Sequence, residues 1–431
     1  MRHLYSVGLA GVVALAATTG PVLAVPTLSL LTYIPVPADT ANMQPGGAFS
    51  AFDISFADST TGDVYIADRS NAAVDIFSGT SLSLIGRATG FTGQQATTSV
   101  SGPDGVLTVT SGGVTTLYAG DGNSTLRVYN TTNPASPAFV TAISTNPTNT
   151  PPVTRVDEMA YSPATGQVLA ANNAATPAFG NLFSTTGGHP PVALTITPIT
   201  VPAVQGGIDA GGLEQSVWVP DASKPGGGSF YISVPALAGT NNPGGVSEIS
   251  TTGTVLRTID FGTMNITSCS PTGLALGGSG NLLVGCGNVG AAAILLNPAG
   301  AGSIVKTFAG LGGTDELWYD PTTKKFYVTG NNGTNTTRFF DVVTDDPLGG
   351  DIIQTVDLPT TTSAHSITVD PFNGDVFVAL AGTSAVDPCP ASFANPGCIA
   401  VFSTPEPGGL SLLVVGLAGL IGVAAVRRRA Q

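Results

Sequence analysis

From Asp53 onward the chain keeps restating one phrase. "DISFADSTTGDVYIAD" at Asp53 returns as "EMAYSPATGQVLAANN" at Glu158, "ELWYDPTTKKFYVTG" at Glu316 and "SITVDPFNGDVFVAL" at Ser366, with looser versions starting at Gly105, Glu214 and Gly273. Consecutive starts lie 43 to 59 residues apart. Each unit opens with a short alternating strand, turns through Asp, Pro, Gly or Asn, and continues into a second strand such as "DVYIAD". A Gly/Asn-rich turn then leads to a third strand such as "VDIFS" or "LRVYN", and usually to a fourth such as "AFVTAIS" or "SIVKTFAG". One such unit cannot bury its own apolar faces, so units of this period must stack on one another. Four strands in about 40–50 residues is the grammar of a propeller blade. The spacing predicts an all-β, seven-bladed β-propeller over residues 25–403, with no second domain. A pair of β-sandwiches would also use many short strands, but it gives no reason for a fixed period.

Ring closure follows from a shortage at the end. The unit at Ser366 offers only three strands, "SITVD", "DVFVAL" and "CIAVFS", while residues 27–36, "TLSLLTYIPV", precede the first unit unassigned. An open ring leaves bare strand edges. The N-terminal segment is therefore expected to be the outermost strand of the seventh blade, burying Leu28, Leu30 and Tyr33 or their alternates.

Charged residues make up only 10% of the chain, and Gly and Pro together number 88. Taken alone, that composition would also suit disorder, but the regular apolar clusters argue for strands and turns. Residues 25–404 hold 10 Lys+Arg against 26 Asp+Glu, a net charge of −16. Such a surface repels nucleic acid and anionic lipid; cations and neutral polymers suit it better. The four cysteines all fall late in the chain. Cys269 and Cys286 flank a hairpin expected to turn at Gly277–Gly280, and Cys389 and Cys398 close a short loop. The expected disulfides are Cys269–Cys286 and Cys389–Cys398. There is no CxxC, which argues against a zinc ribbon.

The phrases "DPFNGDVFVA", "DPTTKKFYVTG" and "SPATGQVLAANN" resemble the NHL and YVTN-type propellers, in which a D-x-x-x-G turn leads into a hydrophobic-aromatic-Val strand. In a propeller the innermost strand of each blade lines a central channel. The residues at its start converge on one mouth: here Asp53, Asp104, Asp157 or Glu158, Glu214, Thr272, Asp315 or Glu316, and His365. Five carboxylate positions in one ring repel each other and need compensation. A hard cation such as Ca2+, held by Asp53, Asp104, Glu158, Glu214, Glu316 and His365, is one way to supply it. The alternative is that these side chains cap backbone N–H groups or face water. The resemblance also implies an enzyme reading, because the lactonase relatives of these propellers hold a channel metal. The chain departs from them in lacking a matched Asn–Asp pair, so a binding or interaction module is the leading expectation and a metal-dependent lactonase-like hydrolase the alternative.

Both ends carry address-like segments. Arg2, an apolar stretch, and small residues Val22 and Ala24 before a cleavage point at 24 read as a signal peptide over residues 1–24. At the other end, Leu410–Val426 is an uncharged run of 17 residues. As a helix it would span about 26 Å, the short limit for a bilayer. Arg427, Arg428 and Arg429 follow it as a positive stop. Pro405-Glu406-Pro407, the apolar run and the arginines, in that order at the end of the chain, resemble the PEP-CTERM sorting signal over residues 404–431. That resemblance implies an exosortase-type protease as a partner and an inner-membrane-anchored precursor. The product would then lie in the periplasm, on the cell surface or in the extracellular matrix, with exopolysaccharide or envelope proteins as possible ligands.

Overall fold

The computed structural model describes residues 27–146, 152–186, 193–199, 212–237, 243–331, 338–346, 348–359 and 364–404. The proposed signal peptide and the tail from Pro405 lie outside these residues. Among the described residues no helix is long and apolar enough to cross a membrane.

The repeat becomes seven four-stranded antiparallel sheets, each a blade. Their innermost strands are Phe52–Ala57, Val106–Ser111, Met159–Ser162, Ser216–Pro220, Pro271–Leu276, Leu317–Asp320 and Ile367–Val369. Each lies against the next around the ring, and the last returns to the first. This is the seven-bladed β-propeller that the period predicts, within a compact unit of Leu28–Thr404.

The D-x-x-x-G phrase makes the first hairpin of several blades. In blade one the Asp58 carboxylate accepts from the Thr60 and Thr61 N–H groups, and Gly62 turns the chain at φ +74°. Blade seven repeats this with Asp370 and Gly374. Blade six keeps Asp320 but places Lys324, at φ +55°, where the others have glycine. An Asx turn followed by a left-handed residue reverses the strand within a few residues, which is why this phrase recurs.

The core lies between blades. Tyr65, Val74 and Ile76 of blade one pack on Val106, Leu117 and Tyr129 of blade two, and comparable clusters join the blades around the ring. The N-terminal strand Ser29–Pro35 pairs with Cys398–Ser403 and completes blade seven, as expected. A bulge between Leu30 and Thr32 reverses which side of this strand faces which neighbour. Before it, Leu28 packs toward Phe340 and Leu358 of blade six; after it, Ile34 and Val36 pack toward Val64 and Phe77 of blade one. Leu30 is left exposed and Tyr33 half-buried, so the buried set is Leu28, Ile34 and Val36. A register shift occurs between the third and fourth strands in every blade except the third. Both expected disulfides are formed, and Cys269–Cys286 spans the hairpin whose turn runs through Gly277 and Gly280.

Candidate functional site

The residues at the inner-strand starts do converge, but their compensation is internal. Arg69, in the turn after the second strand of blade one, reaches into the ring. It donates from Nε to Asp104 at 2.7 Å and pairs through its terminal nitrogen with both Asp53 and Asp104. His365 of blade seven stacks on Phe52, ring centroids 4.4 Å apart, with its Nε2 3.5 Å from Asp53. Arg155 donates to Asp157 at 2.8 Å and to the Asn173 side chain at 2.9 Å, and Asn173 lies 3.5 Å from Glu214. Glu316 accepts from the Ser366 hydroxyl at 2.5 Å. Ser366 in turn meets the Ser55 N–H and hydroxyl, tying blades six, seven and one. Thr272 is turned to the Thr314 carbonyl at 2.5 Å.

The electrostatics follow from burial. Asp53 is held well below the usual carboxylate range: desolvation opposes this, but Arg69, a hydrogen bond from His365 and Arg155 outweigh it. Burial pushes Asp104, Glu158, Glu214 and Glu316 well above their ordinary values, and Asp315 upward. Burial likewise pushes Asp157 up to about 7 despite Arg155. Arg69 and Asp104 are both buried in the ring, where an unpaired charge would be costly.

This arrangement does not fit Ca2+. Among the described residues no three His, Cys, Asp or Glu side chains are grouped closely enough to hold a metal ion. Two guanidiniums stand where the cation was expected. Arg69 and Arg155 were missed in the sequence, although a signal was present: in a chain this poor in basic residues, Arg155 stands two positions before Asp157.

The channel is different at its other end. There the ends of the inner strands open into a cavity of about 380 Å³, walled by Phe56, Val217, Trp318 and Tyr319. Phe56 and Trp318 meet edge to face, with centroids 5.3 Å apart. Gln215 spans the channel beneath, accepting from the Leu274 N–H at 2.6 Å and donating to the Leu317 carbonyl at 3.0 Å. Glu158 and Ser216 also belong to the lining, with aliphatic side chains such as Ile54, Val106 and Leu274. A second groove, of about 780 Å³, runs between blades four and five beside Leu276. Its charges are already paired: Glu248 lies between Lys224 and Arg257, at 2.6 Å from the latter. Burial opposes ionisation of Glu248, but these two partners bring it down to about 2.

No family model and no curated protein matches the chain. Solved structures do. A chain of the mitotic checkpoint complex is 12% identical, with a TM-score of 0.54, over 92% of this chain and 99% of that one. Raptor from Chaetomium thermophilum is 12% identical with a TM-score of 0.57, over 88% of this chain and 28% of its own. The Cps50 (Swd1) β-propeller domain of Myceliophteria thermophila is 10% identical with a TM-score of 0.56, over 88% and 99%. At these identities the likeness is one of fold.

Proposed function

We propose that the chain is an exported cell-envelope or matrix propeller that acts as a binding module. The observation that carries the binding reading is the contrast between the two ends of the channel. The acidic end is closed on itself by Arg69 and Arg155, while the other end is an open cavity with aromatic walls. Cavities lined mainly by apolar side chains, with a few convergent polar groups, are where ligands settle. One structural neighbour comes from a multi-protein complex, which favours a protein partner. The test is affinity capture from the envelope and matrix fractions of the native host with the mature protein. A saturable partner whose capture is lost in Trp318→Ala supports the reading; no saturable partner in either fraction overturns it.

Export and sorting rest on the two terminal segments of the sequence. Replacing Pro405-Glu406-Pro407 with alanines should leave full-length protein in the inner membrane. Equal processing of the variant and the wild type in the native host would remove the sorting proposal.

A further inference from the structure

One carboxyl on the lining of the open cavity has nothing in the fold to bind. Glu158 is only 6% exposed and lines the cavity, yet its carboxyl has no hydrogen-bond or ion-pair partner among the described residues. The buried Ser216 hydroxyl, on the same lining, is also without a partner among them. A buried hydroxyl left unsatisfied costs about 1–3 kcal/mol, and the Glu158 carboxyl, which is not sealed off like the Ser216 hydroxyl, meets the cavity rather than a partner within the fold. Four other acids, Glu316, Asp157, Glu214 and Asp315, act on Glu158. Seven carboxyls of the ring share two guanidiniums, and burial raises all of them but Asp53, so a cation arriving beside Glu158 would favour the ionised form that burial otherwise disfavours. The cavity walls are apolar and include the rings of Phe56, Trp318 and Tyr319.

We propose that this cavity takes a primary alkylammonium group, its nitrogen on Glu158 and its aliphatic stem along the wall formed by Phe56 and Trp318. The inference deepens the binding reading above and rests on it. A compact ammonium on a flexible stem reaches a recessed carboxylate such as Glu158, whereas a broad planar guanidinium calls for an open bidentate face. Aromatic faces add cation–π attraction and cover the methylene stem. Desolvation of the carboxyl is then repaid by a paired charge rather than left standing. A lysine side chain of a partner protein and a free aliphatic amine present the same group.

The probes are n-pentylamine and 1-pentanol, added to the purified protein with tryptophan fluorescence and thermal shift as readouts. Pentylamine should bind at least tenfold more tightly than pentanol. It should perturb Trp318 emission, a change that Trp318→Phe removes while Trp218 remains as reference. Glu158→Gln should lose at least tenfold in amine affinity. If that variant does not fold, the amine-to-alcohol ratio on the wild type decides. Equal binding of the two probes, or unchanged amine binding by folded Glu158→Gln, would overturn the proposal. A lysine peptide tighter than pentylamine, and weakened by Nε-acetylation, assigns the group to a protein; cadaverine tighter than the peptide assigns it to a small amine. Either result supports the site. Partner capture that persists in Glu158→Gln leaves the binding module standing and removes the ammonium site alone.

Discussion

Lys324 shows how much of a turn is written in single residues. It occupies a left-handed position that Gly62 and Gly374 fill in other blades. A side chain there costs about 1 kcal/mol or more, while glycine adds freedom to the unfolded chain. Lys324→Gly should therefore stabilise by about 0.5 kcal/mol, read as a raised denaturation midpoint at unchanged slope. The reverse substitution is harsher where space is lacking. An added Cβ at Gly62 would stand 2.9 Å from the Asp370 carboxylate and the Phe372 ring, whereas one at Gly374 meets nothing within 4 Å. Arg69 is the opposite kind of residue, one whose role no local pattern announces. Removing it strands Asp53 and Asp104 together in a buried ring. Arg69→Met should cost about 3–5 kcal/mol, the usual loss when one partner of a buried pair goes. Adding Asp53→Asn and Asp104→Asn should recover much of that loss. A triple variant no more stable than the single one would mean that Arg69 acts through packing instead.

At the scale of strands, alternation and turn chemistry carried the reading, because both are local. The inner strands, the D-x-x-x-G hairpins, the two cysteine pairs and the N-terminal closing strand were legible for that reason. Bulges were not. The offset near Leu31 depends on how the outermost strand follows the twist of its neighbour, and it decides that Ile34 and Val36, rather than Leu30, are buried. The arginines of the ring were equally illegible in their partners, since Arg69 meets Asp104 across 35 residues and a blade boundary. The closing strand is also a stability element. It pairs along Cys398–Ser403, and Gln354 of blade six both donates to and accepts from the Leu28 backbone at 2.7 Å. Ile34→Ala should cost about 2–4 kcal/mol by removing buried volume from the contact between blades seven and one. Deleting residues 27–36 should lower the melting temperature sharply or yield aggregates, because Cys398–Ser403 becomes a bare edge. A deletion that melts like the wild type would show that the ring holds without this closure.

For the whole molecule the channel sets how stability depends on pH. In the unfolded chain its carboxyls titrate at their ordinary values, near 3.8 for Asp and 4.5 for Glu. In the folded ring, burial raises Asp104, Glu158, Glu214, Asp315 and Glu316, and brings Asp157 to about 7. The folded state thus binds more protons than the unfolded one between about pH 4 and 7, and stability falls as pH rises through that window. Asp53 and Glu248 act in the other direction. Their folded values lie below the unfolded ones, so the stability they contribute is present above about pH 4.5 and is lost as pH drops further. The two trends place the maximum near pH 4, well on the acid side of neutrality. Melting temperature should decline between pH 5 and pH 8, and Asp157→Asn should flatten part of that decline by removing one titrating group beside Arg155. A melting temperature that climbs steadily from pH 5 to 8 would mean that the ring carboxyls ionise in the folded state at or below their ordinary values, against the upward shift that burial gives them.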